Sequence, residues 1–343
     1  MSQLTVDKPA DLAPDKKAKK KHRGRRIILI LIAVVLLLTV GTGVGYVGYL
    51  NHTLETQIKH AALMPPAKPG EHVPTRDPAA GKALNILLIG SDSRGAVANG
   101  RSDVMVLIHI SSDRKKAHLV HFPRDLYVSI PGHGKDKINA AYAYGGPQLL
   151  VRTMQNLVDV PLDHVALIDF EGFKAMTDAL GGVDVYAEEA STENSANGGP
   201  VHVGVNHFDG ASALAFVRER KQLSEGDISR GRRQQAFIKA LMVQVLSKDT
   251  MTNPVRFAQL VDAGSRNLTV DKDFSVSDMR SQAVELRDLR SRDIVFITAP
   301  FSGFGTSPHG ASIDIVDTKR MSQLSAALRT DTMGDLDPGK QIP

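Results

Sequence analysis

Cysteine and tryptophan are both absent from the 343 residues, and aromatic side chains make up only 5% of them. Without cysteine the chain can hold no disulfide framework, thiol nucleophile or Cys-type zinc centre. There is no P-loop, dinucleotide glycine fingerprint, G-x-S-x-G elbow or H-E-x-x-H either. Glycine (29) and proline (17) occur at ordinary levels, which excludes collagen-like and wholly disordered classes. An overall basic surface is also missing. Lys+Arg exceed Asp+Glu by 42 to 37, but residues 1–26 hold nine Lys/Arg and three Asp, leaving 33 basic and 34 acidic residues beyond them. A near-neutral body does not read as a nucleic-acid binder.

What is present divides the chain clearly. Residues 1–26 are polar and end in an almost continuous basic run from Lys16 to Arg26, read as a disordered cytoplasmic tail. Residues 27–50 carry no charged side chain. At about 1.5 Å per residue they can cross a hydrocarbon core of about 30 Å, and the basic flank puts the N-terminus in the cytoplasm. A cleaved signal peptide would show an apolar region of only about 7–15 residues. Residues 51–83, with Pro65, Pro66, Pro69, Pro74 and Pro78, read as an extracellular tether.

From Leu84 the pattern becomes that of a folded domain, 84–330, followed by a loose tail, 331–343. Apolar runs predict strands over 85–90, 104–110, 117–122, 165–168, 183–186 and 294–298. Helices are predicted over 142–158, 171–180, 211–217, 234–246 and 278–289. Strands interleaved with helices indicate an α/β layered domain whose sheet order the sequence leaves undetermined.

Two features carry candidate chemistry. Asp92 lies just past one apolar strand and Asp103 just before the next, a seat suited to a hard cation such as Mg²⁺ with phosphate oxygens. The competing reading is a turn cap for Asp92 and an Arg101 partner for Asp103. The second feature is clustered arginine: Arg124 at a proline-marked turn, then Arg218, Arg220, Arg230, Arg232 and Arg233. The planar guanidinium matches phosphate in a bidentate fork; the competing reading is a solvated charged face. Together they suggest a pyrophosphate ligand, and an anchored domain suggests that it belongs to a lipid. The twelve histidines are scattered; His118 and His121 fall on opposite faces of one strand. Phe237, Leu241, Val243 and Leu246 could line a lipid tunnel or form ordinary core.

Six ordered blocks resemble the LytR-CpsA-Psr family of cell-wall glycopolymer ligases: NILLIGSDSRG (85–95), GRSDVMVLI (100–108), FPRDLYVSIPGHGKDKINAAYAYGG (122–146), DFEGFKAMTDALGGVDV (169–185), HFDGASALAFVRER (207–220) and GDISRGRRQQ (226–235). The resemblance implies an α/β/α sandwich with a central mixed sheet, preceded by one transmembrane helix; the basic flank puts the catalytic domain outside the cell membrane, and the Lys/Arg-rich tail and alanine-rich body fit a Gram-positive bacterium. The resemblance also implies transfer of a glycopolymer, such as teichoic acid or arabinogalactan, from a polyprenyl-pyrophosphate carrier to the C6 hydroxyl of N-acetylmuramic acid in peptidoglycan. Carried over by motif, Asp92 and Asp103 would hold Mg²⁺ (or Mn²⁺). Arg101, Arg124, Arg218, Arg220, Arg230, Arg233 and Gln234 would bind the pyrophosphate, and Asp92, Arg101, Asp103 and Arg124 would form the catalytic set. His121-Phe122 departs mildly from the family pattern. A pyrophosphohydrolase with water as acceptor uses the same site, and a membrane-bound transcriptional attenuator is the reading from a different class.

Overall fold

The computed structural model describes residues 42–67, 73–91, 102–192, 199–219, 222–224 and 227–336, the side chains of Asp103, Asp227, Ile228 and Ser291 excepted. The chain divides into two units, Met1–His52 and Thr53–Pro343. In the first, 42–52 are helical; most of the predicted membrane span, 27–41, lies outside the described residues. Among the described residues, no helix is long and apolar enough to cross a membrane.

The second unit opens with a helical stretch, 53–57 (α1), and a short strand, Lys59–Ala61 (β1). β1 pairs with β10 (Leu268–Asp271) at the sheet edge, and Leu63 behind it is fully buried. Part of the stretch expected as a tether, 51–83, is therefore built into the fold.

A seven-stranded mixed sheet forms the centre, in the order β1-β10-β7-β2-β3-β4-β11. Its middle strands are β2 (Leu84–Ser91), β3 (Ser102–Ile110), β4 (Ala117–His121), β7 (His164–Asp169) and β11 (Ile294–Thr298). β2 runs parallel to β7 and antiparallel to β3. Alternation sets the two faces. Leu87, Ile89, Met105, Leu107 and Val120 are buried in the main core with helices α2 (Ile138–Val158) and α9 (Thr318–Thr330). The opposite face buries Val106, Ala117 and Leu119, around which Leu88, Val104, Ile108 and Phe296 pack partly buried with Ile238 and Met242 of α5 (Asp227–Val245). Helices on both faces give the expected α/β/α layering.

The prediction of one helix over 142–158 meets a break. α2 starts at Ile138, and Gly145 and Gly146 leave helical geometry just before Pro147. Gly146 has φ +63°, open to glycine at little steric cost.

A satellite core surrounds the ribbon of β8 (Val183–Ala187) and β9 (Gly204–Phe208). It is walled by α3 (Phe170–Ala179), α4 (Gly210–Arg218), α5 and α7 (Pro254–Arg266). Phe237 and Leu241 are buried here, Val243 is exposed and Leu246 half-buried. A second sheet, order β12-β13-β5-β6, joins Phe301–Thr306, Ser312–Val316, Leu126–Ile130 and Gly134–Lys137. α6 (Lys248–Thr252) and α8 (Val276–Glu285) complete the set. The chain stays packed beyond Thr330: Met333 is buried and Leu336 rests on the core, so the expected tail joins the fold up to that point.

Candidate functional site

The carboxyl ends of the parallel strands β2 and β7 lie side by side, with the start of β3 beside them. Ser91 pairs with Asp169 of β7 on one side and with Ser102 of β3 on the other. In open α/β sheets the carboxyl ends of strands are where ligands are held. The β2–β3 ladder slips here. Gly90 faces Val104 while Ser91 faces Ser102, which leaves Asp103 as the extra residue of a bulge. Bulges re-aim a side chain and are frequent beside active sites. Gly90 allows the close approach, since a Cβ there would stand 2.9 Å from Val104 Cβ.

Asp92 and Arg101, in the segment joining these strands, and Arg220 lie outside the described residues, as does the Asp103 side chain. Among the described residues no group of three or more His, Asp or Glu is arranged to hold a metal ion. The donor chemistry remains that of two carboxylates, each one residue past a member of the Ser91–Ser102 pair. Such oxygen donors suit Mg²⁺ or Mn²⁺.

The predicted arginines that the structure describes each have their own partners. Asp169 caps α3 by accepting a hydrogen bond from Gly172 N at 2.8 Å, and Phe170 follows at the carboxyl end of β7. Arg218, exposed at the end of α4, stacks its Cζ 4.3 Å from the Phe170 ring centroid. Gln234 donates to the Val217 carbonyl at 3.3 Å, which brings that part of α5 against the end of α4. Arg124 follows β4, where Phe122 N donates to Met105 O at 2.9 Å. The Arg124 carbonyl accepts from Asn139 N at 3.2 Å, and its guanidinium lies 3.4 Å from Asp125. Asp125 also takes Lys137 Nζ at 2.8 Å.

Arg233 belongs elsewhere. It donates to the Glu189 carbonyl at 2.9 Å and to Ser191 Oγ at 3.4 Å, with its Cζ 4.7 Å from the Phe216 ring centroid. Burial pushes its pKa down, and the Glu219 and Glu189 carboxylates oppose that shift. Phe216 and Arg218 are two residues apart on one helix, roughly 200° around its axis, so Arg218 and Arg233 meet opposite sides of α4. Arg230 is buried on α5.

His121 was not predicted as a site residue. The Gln235 amide nitrogen donates to its Nδ1 at 3.1 Å, while Gln235 Oε1 accepts from Thr298 Oγ1 at 3.2 Å. The ring proton therefore sits on Nε2, which is buried and meets no hydrogen-bond partner among the described residues. Burial pushes the His121 pKa down to about 4, so the imidazole is neutral at physiological pH. The sequence signal was the departure just before Pro123-Arg124. Phe170, also unpredicted as a site residue, lay in the block beginning at Asp169.

Comparison with known proteins gives a consistent picture. The model of the LytR_cpsA_psr family matches residues 48–330. Among curated proteins, the chain is similar to the "Polyisoprenyl-teichoic acid–peptidoglycan teichoic acid transferase TagU" of Enterococcus faecalis, at 31% identity over 72% of this chain and 78% of that one. It is also similar to "Cell wall biosynthesis protein LcpA" of Corynebacterium glutamicum, at 29% identity over 77% of this chain. The chain spans 58% of LcpA and 61% of the probable LcpB from the same organism. Among solved structures it resembles TagV of B. subtilis, with a TM-score of 0.61 and 26% identity over 73% of this chain and 97% of that one. "TagT bound to LI-WTA" matches with a TM-score of 0.58 and 27% identity, over 80% and 99%.

Proposed function

The chain belongs to the LytR_cpsA_psr family, and from that premise we propose that it is a membrane-anchored phosphotransferase joining a glycopolymer to peptidoglycan. The donor is a polyprenyl-pyrophosphate-linked polymer and the acceptor is the C6 hydroxyl of N-acetylmuramic acid. The observation that carries this reading is the carboxyl end of the central strands, where Ser91 pairs with both Ser102 and Asp169 while Arg218 stacks on the adjoining Phe170. It sets a guanidinium near Ser91 and Ser102, the residues that precede the two candidate carboxylates in the chain.

The reaction follows from charge. The acceptor oxygen attacks the glycopolymer-side phosphorus, the bond to the bridging oxygen breaks, and polyprenyl phosphate leaves as the hydroxyl loses its proton. Asp92 and Asp103 would hold Mg²⁺, which when bound neutralises phosphate charge and polarises the P–O bonds. Arg218, its flat face steadied by Phe170, presents a fork to the leaving phosphate; Arg101, Arg124, Arg220, Arg230 and Gln234 complete the cradle. In phosphoryl transfer the protein mainly positions the groups and stabilises developing charge. The half-buried apolar face of Leu88, Val104, Ile108, Phe296, Ile238 and Met242 runs beneath α5 and suits the prenyl tail. The His121 Nε2–H is a neutral donor on this face. Arg233 is held by Glu189 and Ser191 and is not assigned to the cradle.

Asp103→Asn and Arg124→Ala should each abolish transfer from a polyprenyl-pyrophosphate donor while the circular dichroism spectrum stays unchanged. Full activity in either variant refutes the assignment.

A further inference from the structure

On the sheet face that α5 covers, one buried ring is bonded on one side only. His121 ends β4 and lies opposite Val106 of β3 and Thr298 of β11, so these three side chains share that face with Leu88, which opposes Val106. His121 is 8% exposed. Gln235 of α5 donates to Nδ1 at 3.1 Å, and its own orientation is set by the bond it accepts from Thr298 Oγ1. The far nitrogen, Nε2, carries the proton and meets no acceptor among the described residues. A buried N–H that gives up water and finds no acceptor destabilises a fold, and native proteins retain few of them.

What accepts this proton follows from the order of groups along the strands and the helix. On the sheet, Asp103 precedes Val106 by three residues, about 10 Å towards the end where β2 and β7 finish. In the other direction the same face turns apolar: Ile108, Leu119 and Phe296 oppose one another in the next row. On α5, buried Arg230 comes first and Gln235 follows about 7.5 Å along the axis. Ile238 and Met242 stand about 5 and 10 Å beyond Gln235. Both elements give one order: the candidate phosphate groups, then the polar row of His121, Gln235 and Thr298, then hydrocarbon.

A prenyl phosphate has the same order: an anionic head, an ester linkage and an apolar chain. A neutral donor suits the junction between head and chain. Burial keeps the His121 imidazole uncharged at physiological pH, so the ring needs no counterion beside the hydrocarbon. An N–H aimed at an anionic phosphate oxygen makes a charge-assisted bond, stronger than one between neutral groups.

We infer that His121 Nε2–H binds an oxygen of the lipid-side phosphate in the polyprenyl-pyrophosphate donor, fixing how far the head group enters between the sheet and α5. This rests on the transferase reading for the identity of the donor. The same bond holds the polyprenyl phosphate that remains after transfer.

The test is calorimetric titration of the full chain, in detergent, with farnesyl pyrophosphate and Mg²⁺. An asparagine side chain can place an acceptor oxygen where Nδ1 stands, and a glutamine side chain can place an amide N–H where Nε2 stands. His121→Asn keeps the acceptor for Gln235 but removes the far donor, and should weaken binding by about tenfold or more. His121→Gln keeps the far donor and should stay within about threefold of the parent. A histidine that serves only to hold Gln235 gives the reverse ranking, and that result overturns the inference. In the parent chain labelled with ¹⁵N-histidine, the Nε2–H signal that His121→Gln removes should move downfield on adding farnesyl phosphate and stay in place with farnesol. No movement with farnesyl phosphate, as for a donor bonded to a fixed water, or equal movement with farnesol, also overturns it. A chain that shows the ranking and the shift yet transfers nothing supports the His121 assignment and sinks the transferase reading. Unweakened binding by His121→Asn, in a chain that does transfer, sinks the assignment and leaves the transferase reading standing.

Discussion

Lowering the pH from 7.5 to 5.0 should cost this fold about 4 kcal/mol through two histidines alone. His118 and His121 are buried in β4, and burial pushes both pKa values down to about 4. Around His118, the neighbouring His109 and Lys116 reinforce the shift and Asp331 opposes it. An unfolded chain takes up a proton on each ring near the unperturbed value of about 6.5, whereas the folded chain does so only near 4. Stability is therefore lost as the pH falls from about 6.5 towards 4. At pH 5.0 the difference amounts to about 2 kcal/mol per histidine. His109, whose pKa burial also lowers, adds in the same direction. Carboxylates with lowered pKa values, such as Asp271 and Glu189, act mainly below about pH 4. Urea unfolding at both pH values should show the loss in the parent chain, and about 4 kcal/mol less of it in a His118→Leu/His121→Gln double variant. An equal acid loss in parent and variant would refute the reasoning.

Phe170→Leu should lower transfer only a few-fold, since an exposed cation–π contact contributes about 0.5–1 kcal/mol; Arg218→Ala should lower kcat by about 100-fold, the scale of losing one transition-state donor. Steady-state kinetics separates the two, and equal effects would contradict the supporting role given to Phe170. Asp271→Ala should cost about 3 kcal/mol in urea unfolding. Its buried carboxylate accepts from Val165 N at 2.9 Å and Asp273 N at 3.1 Å and faces His164 at 3.3 Å. A loss below 1 kcal/mol would mean that the β7–β10 junction does not depend on it.

Legibility in the sequence followed the source of each element's stability. β2, β3, β4, β7 and β11 bury long apolar runs, and each was predicted within two residues of its ends. β1 (Lys-His-Ala) and β6 (Gly-Lys-Asp-Lys) are held chiefly by backbone pairing at sheet edges and carry no apolar pattern to read. β5 is bracketed by Pro123 and Pro131, whose turn signals hid the strand between them. At the site, residue types were legible because charge clusters and strand ends are sequence features. The direction of a side chain was not. Arg230 and Arg233 are three apart on α5, yet Arg233 turns to Glu189, Ser191 and Phe216, partners that only the fold brings near. His121 likewise gains its meaning from Gln235, 114 residues away.

The central claim is transfer of a glycopolymer between two oxygen acceptors at phosphorus. Its most direct test is ³¹P NMR of the full chain incubated with a polyprenyl-pyrophosphate-linked oligosaccharide, Mg²⁺ and peptidoglycan strands. The account predicts a phosphodiester resonance on the strands, matched one for one by polyprenyl phosphate. Release of the oligosaccharide phosphate to water, with no phosphodiester on the strands, would contradict it.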